Sequence, residues 1–256
     1  MRLILGVGLL LCLAGCAVSP PLFPTSGRVD YQLGGAWQPP DDVTIVARDR
    51  TDPPLKGVYS ICYINGFQTQ PQEADFWLDE HPDLVLRDEA GEPQFDPGWP
   101  DEMALDTSTE TSREALAAIM DDWIQGCADD GYQAVEFDNL DSYTRFTGIT
   151  LGDNVAFATL LVAAVHDRGL DAGQKNSAEL GTVGRDDIGY DFVVSEECFV
   201  YDECGVYTEV YGDRVIDIEY DDTDLDGLCD YGDLPPLTIV RDRDLTPGGT
   251  FWSCDE

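Results

Sequence analysis

The chain has 256 residues and a formal net charge of −37, from 51 acidic residues against 14 basic ones. That balance excludes a nucleic-acid partner, because phosphate binding needs a basic face. It leaves either a cationic partner or a solubility role for the charge.

The N-terminus addresses the protein to export. Arg2 gives a short positive start, Leu3 to Leu13 is apolar, and Leu13-Ala14-Gly15-Cys16 follows. The run is too short for a spanning helix and has the form of a bacterial-type signal peptide. Its ending resembles a lipobox, which implies cleavage before Cys16 and acylation of that residue. Residues 1–16 are therefore read as a lipoprotein signal and 17–28, rich in Pro, Ser and Thr, as a tether. No other run reaches the roughly 18 apolar residues of a membrane span, so the expected membrane contact is through the N-terminal lipid only. The remaining 29–256 suffice for one large domain. Six cysteines lie beyond the signal: Cys62, Cys127, Cys198, Cys204, Cys229 and Cys254. An even count in an exported chain favours disulfides, and the short Cys198–Cys204 loop is the first expected bridge.

Short apolar runs alternate with helical patterns along the domain. A strand is expected at Val29–Leu33 or at Val43–Val46, then at Val58–Ile64. Pro71 to Glu80 reads as a helix with Pro in its first turn. A weak strand ends at Leu105. Thr111 to Glu114 is a capping-box pattern, and Leu116, Ile119, Met120 and Trp123 behind it keep helical spacing, with Gly126 near the end. Gln133–Phe137 is a strand. Asp153–Arg168 is a second helix, stopped by Gly169. Strands follow near Leu170–Gln174, Phe192–Ser195, Val215–Glu219 and Leu237–Val240. About eight strands with interleaved helices indicate an α/β fold, a single-domain (β/α)8 TIM-type barrel. Its runner-up, a doubly wound open sheet in a nucleotide-binding form, lacks the Gly-x-Gly-x-x-Gly turn.

Working residues of such a barrel sit at the C-terminal ends of its strands. Those ends hold Asp106; Glu136, Asp138, Asn139 and Asp141; Lys175 and Asn176; Glu196 and Glu197; Asp217 and Glu219. Tyr63 is among the aromatics near the same mouth. About one residue in five is acidic, so a carboxylate at a strand end means little alone. Lys175 is more telling, because Lys56 is the only other lysine. Two carboxylates facing each other across a barrel mouth can cleave a glycosidic bond, one as proton donor and one as nucleophile or base. His81 and His166 are not at strand ends, and there is no Gly-x-Ser-x-Gly elbow, which disfavours a Ser-His-Asp hydrolase. No cofactor is expected for catalysis. Asp222, Asp224, Asp226, Gly227, Asp230 and Asp233 follow the spacing of a calcium loop, with Asp233 where Glu is usual. The spacing admits a structural Ca2+ there, weighed behind a plain solvated acidic loop because chance matches are common in so acidic a chain.

Five segments occur in order: Tyr31-Gln32-Leu33-Gly34-Gly35, Ile61 to Gln70, Val135-Glu136-Phe137-Asp138-Asn139, Gln174-Lys175-Asn176 and Ser195-Glu196-Glu197-Cys198-Phe199. Together they resemble glycoside hydrolase family 114, the endo-α-1,4-polygalactosaminidases, over nearly the whole mature chain. The resemblance implies a (β/α)8 barrel that cleaves galactosamine-containing α-1,4-linked polysaccharide. It implies Asp138 and Glu196 as the catalytic pair and, by analogy with related α-glycoside barrels, Asp138 as nucleophile and Glu196 as acid/base. Asp106, Asn139, Lys175 and Glu219 are then expected to line the cleft, with Glu136, Tyr63, Asn176 and Glu197 as further substrate contacts. The sequence departs from the family at Ser195 and Glu197, where Asn and Gln are frequent, and at Phe137, where Pro is common. The expected partner is a cationic polysaccharide, met by a monomer. The alternative is a non-catalytic, polysaccharide-binding lipoprotein on the same barrel.

Overall fold

The computed structural model describes residues 23–254. The expected signal peptide, Cys16 and the first part of the expected tether lie outside the described residues. Eight parallel strands run in sequence order: β1 (Arg28–Gln32), β2 (Val43–Asp49), β3 (Tyr59–Asn65), β4 (Ala134–Asp138), β5 (Asp171–Lys175), β6 (Phe192–Glu196), β7 (Val215–Tyr220) and β8 (Leu237–Arg241). A two-residue β9 (Phe251–Trp252) pairs antiparallel with β8. The buried Arg241 draws β8 to β1, donating to Asp30 at 2.7 Å and to the Tyr31 carbonyl. The result is a single-domain (β/α)8 TIM-type barrel with an abbreviated outer layer. Three longer helices cover it among the described residues: α1 (Glu110–Asp130), α2 (Leu151–Asp167) and α3 (Cys204–Tyr211).

The strands are apolar on both faces because both are covered. Alternate residues separate two cores. Ile45, Ile61, Ala134, Val194, Ile216, Ile218 and Ile239 fill the barrel interior. Cys62, Ile64, Val135, Phe137, Val193 and Val215 face outward, against the helices. This parity also decides which polar residues reach the mouth: Glu136 and Asp138 share the inward face of Ala134, and Glu196 that of Val194.

Both candidate first strands exist, and the expected strand at Leu105 is not part of the barrel. Leu105 instead forms an antiparallel bridge with Val85 in the long excursion between β3 and α1. The capping box expected from Thr111 is two residues late: Thr109 caps α1, accepting from the Ser112 amide at 3.0 Å. Gly126 lies within α1, which runs to Asp130 and ends at left-handed Gly131. α2 is capped reciprocally by Thr150 and Asp153. Residues 71–80 are helical, tight at first and wider at the end. The disulfide Cys198–Cys204 is present, with Cys62–Cys127 binding β3 to α1 and Cys229–Cys254 binding the β7–β8 connection to the C-terminus.

The tether expected over 17–28 gives way to packed chain by Phe23. That ring is 3% exposed, stacks on Phe192 at 4.3 Å and meets Tyr59 edge-on at 5.5 Å. It closes the base of the barrel. Gly173 makes the room, since a Cβ there would lie 2.4 Å from the Phe192 ring. Phe23→Ala is therefore expected to cost about 3 kcal/mol, read as a lower urea midpoint with an unchanged slope.

Candidate active site

Three successive strands bring one side chain each to the centre of the mouth. Asp138 ends β4, Lys175 ends β5 and Glu196 ends β6. The Lys175 Nζ lies 3.3 Å from Asp138 Oδ2 and 3.1 Å from Glu196 Oε2. The ammonium is buried, with the Tyr31 and Tyr63 rings 5.6 and 6.0 Å away. Asp138 also accepts from the Tyr63 hydroxyl at 2.8 Å and from the Asn139 amide at 2.7 Å. Glu196 accepts from Asn176 Nδ2 at 3.0 Å and from the Tyr220 hydroxyl. Asn176 Oδ1 in turn accepts from the Glu196 amide at 2.8 Å.

The chain leaves each of these strands through a left-handed residue that is not glycine: Asn139 (φ 66°), Asn176 (φ 50°) and Glu197 (φ 60°). Asn tolerates this region better than most residues, whereas Glu does not. Such turns concentrate strain where side chains must be aimed.

Charge and burial oppose each other here. Burial pushes the Lys175 pKa down, but Asp138, Glu196 and Glu136 outweigh it and hold it well above the ordinary value. Burial pushes Glu196 up, but Lys175, Tyr220 and Asn176 together hold it below the usual glutamate range. Glu136 lies beneath them, fully buried, and accepts from the Tyr31 hydroxyl at 2.7 Å. For Glu136 burial wins over Lys175 and Tyr31, and its pKa is raised to about 8. Its neutral form is therefore favoured at pH 7, which leaves Asp138 and Glu196 as the larger influences on the lysine.

Above the trio is a cavity of about 410 Å³, lined also by Asp96, Trp99, Glu102, Asp141 and Arg145. Arg145 binds Asp96 at 2.8 Å and Asp141 at 2.6 Å. Glu102 accepts from Asn65 at 3.0 Å, and its pKa is raised to about 7 by burial, with Asp138 and Asp96 adding to the rise. A second cavity of about 370 Å³ shares Asp141, Asn176 and Glu196 with the first and continues past Tyr201. Trp99 and Tyr201, 63% and 64% exposed, flank the two halves. Neither Trp99 nor Glu102 follows a strand, so the strand-end rule passes them over; Tyr220 was within its reach but was missed.

Of the expected site residues, Tyr63, Asp138, Asn139, Lys175, Asn176 and Glu196 line the first cavity, and Glu136 supports it from below. Glu197 sits on the rim of the second, paired with Arg243 at 2.9 Å. Two expectations are corrected. Asp106 does not line the cleft: it accepts from the Ser108 amide at 2.9 Å in the turn leading to α1. Glu219 is wholly buried on the outward face of β7, because it has opposite parity to Ile218 and Tyr220.

The acidic loop 222–233 does not gather into an ion cage among the described residues. Asp222 pairs with Arg243 at 2.8 Å, Asp224 accepts from the Asp226 amide, and Leu228–Asp230 is a helical turn fixed through Cys229. Asp233 lies beside Gly205 of α3. Cys198, Cys204 and Asp217 do converge, but the cysteines are joined and offer no thiolate.

A parallel barrel with two carboxylates converging at the C-terminal mouth defines a glycosidase of the TIM-barrel class. The sequence matches the glycoside-hydrolase family GH114 over residues 15–256, and the chain belongs to that family. The fold is similar to Aspergillus fumigatus Ega3, solved with galactosamine, at 23% identity and a TM-score of 0.74, covering 93% of this chain and all of that one. It is also similar to the glycoside hydrolase domain of PelA from Pseudomonas aeruginosa, at 14% identity and a TM-score of 0.61, covering 87% of this chain and 97% of that one. No curated protein matches the sequence.

Replacing the central cation tests these electrostatics. Lys175→Met is expected to raise the Glu196 pKa, since burial then acts unopposed by the nearest charge. A carboxyl 13C titration of the folded variant reads this directly.

Proposed function

We propose that the protein is an endo-acting, retaining hydrolase of a cationic, α-1,4-linked galactosamine polysaccharide, with Asp138 as nucleophile and Glu196 as acid/base. The observation that carries this reading is the Lys175 ammonium held against both carboxylates. The sum of its two contact distances, 3.3 and 3.1 Å, is an upper bound on the gap between those two oxygens. That bound falls just under the roughly 6.5 Å at which room for an inverting water begins.

In the first half of the reaction Asp138 attacks the anomeric carbon. The bond from that carbon to the linking oxygen breaks, and the Glu196 proton goes to the leaving oxygen. In the second half Glu196 takes a proton from water, and the hydroxide formed releases the sugar from Asp138. Lys175 holds Glu196 ionised in the free site, so Glu196 must take up a proton before the first half. A bound sugar favours this uptake by excluding water, because burial is already the largest influence on that carboxyl and acts upward. Tyr63 and the Asn139 amide orient Asp138, while Asn176 and Tyr220 orient Glu196.

Three features favour this substrate. The chain belongs to GH114, and its fold resembles a protein solved with galactosamine. The net charge of −37 and the carboxylate-lined cleft attract a polycation. The two connected cavities, with an aromatic ring beside each, suit a polymer lying across the mouth rather than a chain end in a closed pocket. Three disulfides fit an oxidising compartment. An acyl chain on Cys16 is part of the same reading, tying a monomer to the cell envelope. No calcium ion is assigned to the 222–233 loop.

Asp138→Asn and Glu196→Gln are each expected to cut reducing-end release from partly deacetylated galactosaminoglycan by about 10³-fold. The parent should give the α-anomer first, by proton NMR. Parent-like turnover in both variants would overturn the Asp138 and Glu196 assignment, whereas a parent that releases nothing would leave only a polysaccharide-binding protein.

A further inference from the structure

β7 carries two carboxyls that the reaction does not touch. Asp217 and Glu219 are both fully buried on its outward face, under the turn that follows Glu196. Asp217 Oδ1 accepts from Ser195 Oγ at 2.9 Å and from the Cys198 amide at 3.3 Å, and its Oδ2 accepts from Thr238 Oγ1 at 3.3 Å. Glu219 Oε1 accepts from the Phe199 amide at 2.7 Å. Its other oxygen finds no donor among the described residues, and the Asp217 charge acts on it from two residues away on the same strand face. Two consecutive amides of one turn are thus held by two buried acids on one strand face.

That turn is strained at both ends, with Glu197 at φ 60° and Asp202 at φ 58°, and is closed by Cys198–Cys204. Among the described residues, the groups around the pair supply no free cation. Glu197 adds negative charge, Arg243 is already paired with Glu197 and Asp222, Tyr207 of α3 is neutral, and β8 offers only Thr238. Neighbouring buried carboxyls without a cation cannot both ionise cheaply.

We propose that Asp217 and Glu219 share one proton and, by holding the Cys198 and Phe199 amides, act as a positioning pair for Glu196. The inference rests on Glu196 being the acid/base of the reaction. Burial, reinforced by the Asp217 charge, raises Glu219 to about 8, and burial raises Asp217 to about 6. Glu219 is therefore the proton holder at neutral pH. Its stabilising contribution is complete below the unfolded glutamate pKa of about 4.3. It declines as pH rises and is lost as pH passes the folded value. Above that point two like charges lie under the turn and the hold on it loosens.

The test compares the parent with Glu219→Gln and Glu219→Ala. Gln keeps an acceptor for the Phe199 amide but cannot ionise; Ala has no acceptor. Amide exchange by NMR should show protection at Cys198 and Phe199 falling at least tenfold between pH 6 and 9 in the parent, with no such fall in β3. In Glu219→Gln the protection should stay level. On partly deacetylated galactosaminoglycan at pH 6, Glu219→Gln should keep kcat within twofold, whereas Glu219→Ala should lose at least tenfold in kcat with KM unchanged. Protection that does not vary with pH, or varies equally in parent and Glu219→Gln, overturns the shared proton. Parent kcat in Glu219→Ala overturns the positioning role. If Glu219→Ala does not fold, Glu219→Gln decides by its exchange profile. If the parent itself is inactive, the proposed reaction falls and the exchange measurement still judges the pair.

Discussion

A single buried ammonium organises this molecule. Lys175 lies between Asp138 and Glu196, and its charge is the chief influence that opposes burial at Glu196. The cost of burying the lysine is offset only because the acids converge on it from the flanking strands. That convergence follows from parallel neighbours in register: Asp138, Lys175 and Glu196 end β4, β5 and β6, each on the inward face. The neutral Glu136 below completes the balance. Were Glu136 ionised as well, one cation would face three anions.

The same need to aim side chains explains the backbone. Asn139, Asn176 and Glu197 each bend the chain sharply away from its strand, and each does local work as it does so. The Asn139 amide binds Asp138, Asn176 grips Glu196 from two sides, and Glu197 hands the chain to the amides held by Asp217 and Glu219. The barrel supplies the rigidity, with Cys62–Cys127, the Arg241 link to β1 and the Phe23 ring at its base. The large negative charge acts at longer range and weakens with salt.

Much of this was legible in the sequence. Apolar runs marked the strands, the even cysteine count marked bridges, and a rare lysine in an acidic chain marked the site. The failures have physical causes. Glu219 was misplaced because a strand end was treated as a point, whereas strand parity divides it; the inward face of Ile216, Ile218 and Tyr220 already excluded Glu219 and pointed to Tyr220. Asp106 was misplaced because the bridge at Leu105 belongs to an excursion over the mouth, and local propensity cannot separate that from a barrel strand. Trp99 and Glu102 arrive on the same excursion, through contacts that no periodicity encodes. The 222–233 loop kept calcium spacing, but Arg243 and the Cys229 bridge, both distant in sequence, draw its carboxylates apart. Phe23 packs against Phe192 and Tyr59, so a Pro-rich segment became part of the core.

The central claim is that Asp138 and Glu196, held by one lysine, act from either side of one sugar linkage. Trapping the intermediate addresses it most directly. Glu196→Gln treated with an activated galactosaminyl fluoride needs no acid for the first step and lacks the base for the second. Peptide mass spectrometry should then find one hexosamine covalently attached to Asp138. A hexosamine attached elsewhere, or none at all with the fluoride still consumed, would contradict the account.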